Sequence, residues 1–191
     1  MTDSTGRGSR GKRERLVAAA GDLLHRQGVL AATLAQVAEA AGVPVGNVYY
    51  YFKTKDDLVR AVIDARTGQV HEMLGALQAR RSPAARLKAL IHQWVEMRDL
   101  IARYGCPFGT LASELDRRDD GLDREAAKPI AAILDWAEEQ FRELGRRDAR
   151  DLAVHLFAGV QGAALLTNAF RDPDIVTSQV RHLERWIDSL S

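Results

Sequence analysis

Apolar side chains recur at helical spacing along most of this chain. Leu16, Ala20, Leu23 and Leu24, with Val17 beside them, fall on one face of a first helix starting near Arg10, and Gly28 stands where a left-handed cap would end it. Thr33 followed three residues later by Gln36 is a capping box, which satisfies the orphan amides at the start of a second helix over 34–41. Gly42 breaks that helix, and Pro44 presets the backbone for a short third one over 45–52. Lys55, Asp56 and Asp57 open a long segment in which Leu58, Val62, Ala65, Met73, Leu74 and Leu77 share a buried side. Ser82 and Pro83 start the next, with Leu87, Leu90, Ile91, Trp94, Val95 and Ile101 facing inward until the glycines and proline of RYGCPFG end it.

A short helix over 110–115 follows, then one marked by Ile130, Ile133, Leu134, Ala137, Phe141 and Leu144 that begins or kinks at Pro129 and closes at Gly145. The last two helices, over 148–170 and 174–190, are separated by the breaker RDPD. No stretch alternates with period two, so the chain reads as all-α, with about nine helices and no internal repeat.

Charge changes this picture by its placement. The net charge is only +1, but residues 1–55 carry eight basic and four acidic side chains, leaving a balance of −3 for the rest. The opening residues are rich in Gly, Ser, Thr and Arg and are expected to form a mobile basic arm bearing Arg7, Arg10, Lys12 and Arg13. A basic front meets an anion, and a helix, a tight turn and a short second helix are the arrangement that lets one helix enter the major groove while its predecessor braces on the backbone. In the third helix, VGNVYYYF, Val48 and Phe52 lie one turn apart for the core, leaving Val45, Gly46, Asn47, Tyr49, Tyr50 and Tyr51 outward. Asn matches the donor and acceptor edge of adenine, tyrosine rings pack on thymine methyls, and Lys53 and Lys55 can meet phosphates.

The run TLAQVAEAAGVPVGNVYYYFKTKDDL, with Thr33, Gly42, Gly46, Tyr49, Phe52 and Lys55 in register, resembles the TetR family of bacterial one-component regulators, over about Arg13 to Leu58. The resemblance implies that Thr33, Tyr49, Tyr51 and Lys55 hold phosphates and that Val45, Gly46, Asn47 and Tyr50 approach bases of double-stranded operator DNA. Pro44 and Val45 depart from the Ser or Thr and the Lys that many relatives carry there, so two phosphate contacts are lost, which the basic arm would replace. It further implies a three-helix head over 1–55, an effector-binding and dimerisation body over 56–191, and a repressor that leaves its operator when an effector binds.

In the body, Val176, Val180, Leu183, Ile187 and Leu190 are spaced 4, 3, 4 and 3 apart, the seam of a helix lying along another. Ala158, Gly159, Gly162 and Ala163 let a neighbour come close. Such stripes can be consumed within one chain, but the family pairs its last two helices with their copies in a four-helix bundle, which makes this stripe the expected homodimer interface. By the same resemblance, Trp94, Met97, Tyr104, Phe108, Leu111, Trp136, Phe157 and Gln161 lie on helices that wrap an effector cavity; each could equally be plain core. With no matching cluster of arginines or carboxylates, an apolar or amphipathic effector is expected. Cys106, in YGCPFGTLASEL, resembles a GC-x-x-G-x-x-x-x-E segment of one subgroup in which some members sense electrophiles, which makes it a candidate thiol sensor; an inert buried thiol is the reading favoured here.

The chain offers little to an enzyme. His25, His71, His92, His155 and His182 form no HExxH, GxSxG and a Walker lysine are missing, and Asp116, Asp120 and Gly121 fail as a calcium loop because Arg118 takes a ligand position. One cysteine excludes a disulfide scaffold, and no run of 18 apolar residues or signal peptide stands out, so a cytoplasmic protein without metal or cofactor is expected. The alternative from another class is an all-helical small-molecule carrier or interaction module that does not bind DNA.

Overall fold

The computed structural model describes residues 4–190, with side chains from Gly11 onward, so Arg7 and Arg10 of the arm are side chains outside the described residues. Within that range every regular element is a helix, eleven in all: α1 (Ser4–Ala31), α2 (Leu34–Ala40), α3 (Val45–Tyr51), α4 (Lys55–Leu77), α5 (Pro83–Glu96), α6 (Arg98–Tyr104), α7 (Pro107–Leu115), α8 (Leu122–Ala126), α9 (Lys128–Glu143), α10 (Ala149–Phe170) and α11 (Asp174–Ser189). Two of these were not separated in the sequence. Met97, with φ −94° and ψ 6°, divides α5 from α6, and α8 is a single turn ahead of Pro129. The helix expected to start near Arg10 begins at Ser4, because adding residues to an existing helix costs far less than nucleating one.

Two compact units emerge. The first comprises residues 1–66 with 111–126, and the second residues 67–110 with 127–191. This division differs from the expected one after residue 55, since the start of α4 and the segment around α8 bury their apolar side chains in the first core. Leu16, Ala20, Leu24, Val37, Val48, Phe52, Leu58, Val62, Leu111, Leu115 and Leu122 form that core. Helices α4 and α7 each contribute residues to both units.

In the second unit Leu87, Ile91, Trp94, Ile133, Phe141, Leu156, Val160 and Ile187 are essentially inaccessible. The turn between α10 and α11 is held by backbone geometry and by side chains. Arg171 adopts the left-handed conformation (φ 55°), and the Thr167 hydroxyl accepts the Val176 N–H at 3.1 Å. Asn168 donates to the Ile101 and Ala102 carbonyls, and Arg171 to those of Ala102 and Arg103, so the end of α10 caps the end of α6.

One expectation is corrected here. The α11 stripe of Val176, Val180, Leu183 and Ile187 lies between 0% and 4% exposed within a single chain, and Leu190 packs partly buried against the same core. The amphipathic helix of a monomer core and of an interface share one spacing, and here α10 and α5 already cover the stripe. Most of the large apolar side chains left exposed in this unit are on α10, where Val154, Leu165, Leu166 and Phe170 are 46%, 70%, 47% and 70% exposed and Ala158 and Gly162 lie among them. Two apolar faces explain why α10 is long and apolar enough to cross a membrane by composition, while 39% of its most apolar window is buried in the protein.

Leu183→Glu is therefore expected to unfold the second unit rather than to release a folded monomer, because an unpaired buried carboxylate costs several kcal/mol. Circular dichroism alongside sedimentation checks this, and a folded, monomeric variant would return the stripe to the interface.

Candidate nucleic-acid interface

A seven-residue helix such as α3 has little stability alone, so its orientation comes from packing. Val48 and Phe52, at 0% and 2% exposure, are sunk in the first core, and Arg13 lies over the Phe52 ring at 5.4 Å. Burying that face turns the other outward: Val45, Tyr49 and Tyr50 are 44%, 53% and 71% exposed, while Asn47 and Tyr51 are half-buried. The Tyr50 and Tyr51 rings meet edge to face with centroids 5.0 Å apart. Space around Gly46 is open: apart from its chain neighbours and its own helix backbone, no atom of the described residues lies within 4 Å of where a Cβ would stand, so a flat partner can reach the backbone at the start of α3. Gly42, at φ 61°, makes the turn that sets α2 and α3 against each other.

The polar residues at the edges of this surface already hold the head together. Thr33 is exposed and caps α2, its hydroxyl accepting the Gln36 N–H at 3.2 Å while Gln36 Oε1 accepts the Thr33 N–H at 2.9 Å. Lys53 Nζ donates to the Tyr49 carbonyl at 3.2 Å, and Lys55 Nζ to the Leu30 carbonyl at 3.1 Å. A second reciprocal cap, Thr54 with Asp57 at 3.0 Å in both directions, opens α4; the T-x-x-D spacing signals it in the sequence. Thr33, Val45, Gly46, Asn47, Tyr49, Tyr50, Tyr51 and Lys55 thus all lie in the first unit, on or beside the α2–turn–α3 element.

Sequence reasoning missed a set of ion pairs in the same unit. Arg118 reaches Asp56 through both carboxylate oxygens at 3.0 and 2.6 Å and also bonds Asp120, while Arg60 bonds Glu125 at 3.2 Å. Donating to Asp56 and Asp120 raises the Arg118 pKa, and the bond that Asp120 accepts from Arg118 holds this exposed carboxyl below the usual carboxylate range. Their 62- and 65-residue sequence separations leave no local signal.

The residues expected around an effector are not one ring. Trp94 packs against Phe157 at 5.8 Å and Phe108 at 6.3 Å, and Trp136, Phe157 and Met97 belong to or adjoin the second core. Tyr104 is half-buried, and Gln161 Nε2 donates to Cys106 Sγ at 3.4 Å. Leu111 lies instead in the first unit's core, because α7 ends there. Cys106 is 4% exposed. A cleft of about 610 Å³ on the second unit, lined by Lys88, Arg181, His182, Glu184, Arg185 and Asp188, has mixed charge and includes none of the expected residues.

An outward reading helix, braced by a capped predecessor and flanked by lysines, defines a helix-turn-helix DNA-binding regulator. Comparison with known proteins agrees along the chain. The pattern "Bacterial regulatory proteins, tetR family" matches residues 16–62, and "Tetracyclin repressor-like, C-terminal domain" matches residues 83–183. The chain belongs to the TetR family. It is 28% identical over 189 residues to the HTH-type transcriptional regulator TtgR of Pseudomonas putida, covering 93% of this chain and 88% of that one. It is 27% identical over 187 residues to an uncharacterized HTH-type regulator of Lactococcus lactis, covering 88% and 89%. The crystal structure of regulatory protein TetR from Rhodobacter sphaeroides superimposes with TM-score 0.79 at 26% identity, over 90% of this chain and 96% of that one. Membership decides for a DNA-binding regulator over the carrier that the sequence left open.

Asn47→Ala is expected to lose about 1 to 3 kcal/mol of discrimination between matched and mismatched duplexes, and Lys55→Ala to weaken all duplexes alike and lower the salt slope by about 1. Fluorescence anisotropy over a salt series measures both; wild-type behaviour in both variants would remove these residues from the interface.

Proposed function

We propose that the protein is a homodimeric repressor that binds a two-fold symmetric operator through Asn47, Tyr50 and their neighbours and releases it when a small apolar molecule enters the second unit. The observation that carries this is the exposed face of α3, held outward by the burial of Val48 and Phe52. Thr33, Tyr49, Tyr51 and Lys55 are assigned to phosphates, Val45, Gly46, Asn47 and Tyr50 to bases, and Lys12 and Arg13 add positive charge near the same surface. The protein works where the chromosome is, in the cytoplasm.

The partner surface is the open face of α10. Val154, Ala158, Gly162, Leu165, Leu166 and Phe170 follow one another at helical spacing, small residues in the middle and large ones at the end, the pattern by which two copies of a helix approach closely. In a two-fold pair each patch meets itself, so one assembly carries two reading heads.

For the effector, two donors are informative. The indole nitrogens of Trp94 and Trp136 are buried without a hydrogen-bond partner among the described residues. A buried donor without an acceptor costs about 1 to 3 kcal/mol, so a mostly apolar ligand carrying a carbonyl or ether oxygen gains from pairing with it. Such a ligand lowers operator affinity only by as much as the operator lowers the ligand's own. Cys106 fits the inert role better than the sensing one, since its thiol is enclosed and packed beside Gln161.

Leu166→Glu with Phe170→Glu should give a folded monomer with poor operator affinity, seen by sedimentation and circular dichroism; a variant that remains a dimer would move the interface elsewhere. Cys106→Ser should bind operator like wild type, and brief N-ethylmaleimide treatment of the wild type should leave DNA bound. Release by the reagent in wild type but not in Cys106→Ser would establish the thiol as the sensor.

A further inference from the structure

The GC-x-x-G-x-x-x-x-E segment ends in Glu114, a residue with no part in the reading above. Its carboxylate accepts the Val29 N–H at 2.7 Å across 85 residues of sequence, at the point where α1 departs from helical geometry. That departure is at Gly28, with φ 84° and ψ 163°, and a Cβ built there would run into Glu114 Oε1. Both partners are anchored: Val29 is 6% exposed, and Leu111 and Leu115 on either side of Glu114 are 5% and 1% exposed in the same core.

Beyond Gly28 the backbone is held by side chains from three elements in turn. Glu114 of α7 takes the Val29 N–H, Lys55 of α4 gives to the Leu30 carbonyl, and Gln36 of α2 takes the Thr33 N–H. This stretch contains or touches two of the residues assigned to phosphates, Thr33 and Lys55. A carboxylate beside a phosphate-binding surface opposes DNA by its charge. Its contribution must then be geometric.

We propose that Glu114 is a positioning residue for DNA binding: by clasping Val29 over Gly28 it fixes the α1–α2 connection, and so sets Thr33 and Lys55 at their phosphate-binding places before DNA arrives. The ion pair of Arg118 with Asp56, next to Lys55, steadies the same region from the loop after α7.

The test uses the full-length protein and a fluorescent duplex selected by the wild type from a random-sequence pool. Charge alone predicts that Glu114→Ala binds more tightly; positioning predicts about tenfold weaker binding, the effect expected from one charge-assisted hydrogen bond. Thermal unfolding should stay within a few degrees of wild type, and the salt slope should not change, because the same phosphates are finally contacted. Glu114→Gln, which keeps an acceptor, should recover most of the affinity. Gly28→Ala displaces the carboxylate, so it should weaken binding at least as much as Glu114→Ala, and adding Glu114→Ala to it should cost nothing more. Wild-type or tighter binding by Glu114→Ala, a loss explained wholly by unfolding, no recovery in Glu114→Gln, or additive losses in the double variant would each overturn the proposal.

Discussion

The burial of Val48 and Phe52 is the contact on which the head depends. A two-turn helix cannot hold itself in water, and α3 exists because one of its faces is worth more inside the core than outside. That same burial decides which side chains are left over, so fold and recognition surface follow from one choice of two apolar positions a turn apart. The residues around it then need only short-range devices: a capping box at Thr33, another at Thr54, and one glycine turn at Gly42.

The head was legible from sequence because its signals are local. Capping boxes span four residues, helix faces repeat every three or four, and the outward set of α3 follows by subtraction from its inward pair. What escaped was non-local or ambiguous. Glu114 with Val29 and Arg118 with Asp56 join positions 85 and 62 residues apart, and nothing in either neighbourhood announces the other. The stripe of α11 was visible but its use was not, since the same period serves a monomer core and an interface; exposure alone separated it from the α10 face. The aromatic set of the second unit had the same ambiguity, and Leu111 fell to the other core because α7 contributes to both.

Several polar groups assigned to DNA are engaged before DNA is present. The Thr33 hydroxyl caps α2 and the Lys55 ammonium holds the Leu30 carbonyl, so neither is a dangling side chain waiting to be ordered. Binding through such groups spares part of the entropy of immobilising them, but an ammonium shared with a carbonyl must divide its donors when a phosphate arrives. Preorganisation of these groups would then add to whatever the cations of the basic arm contribute.

The open face of α10 also bears on dosage. If that face is covered only when two chains meet, the species able to span both half-sites grows with the square of chain concentration wherever monomers predominate. Small changes in synthesis or degradation of the chain would then be amplified at the operator, and a patch of Leu165, Leu166 and Phe170 on one helix would set the steepness of the response as well as the shape of the pair.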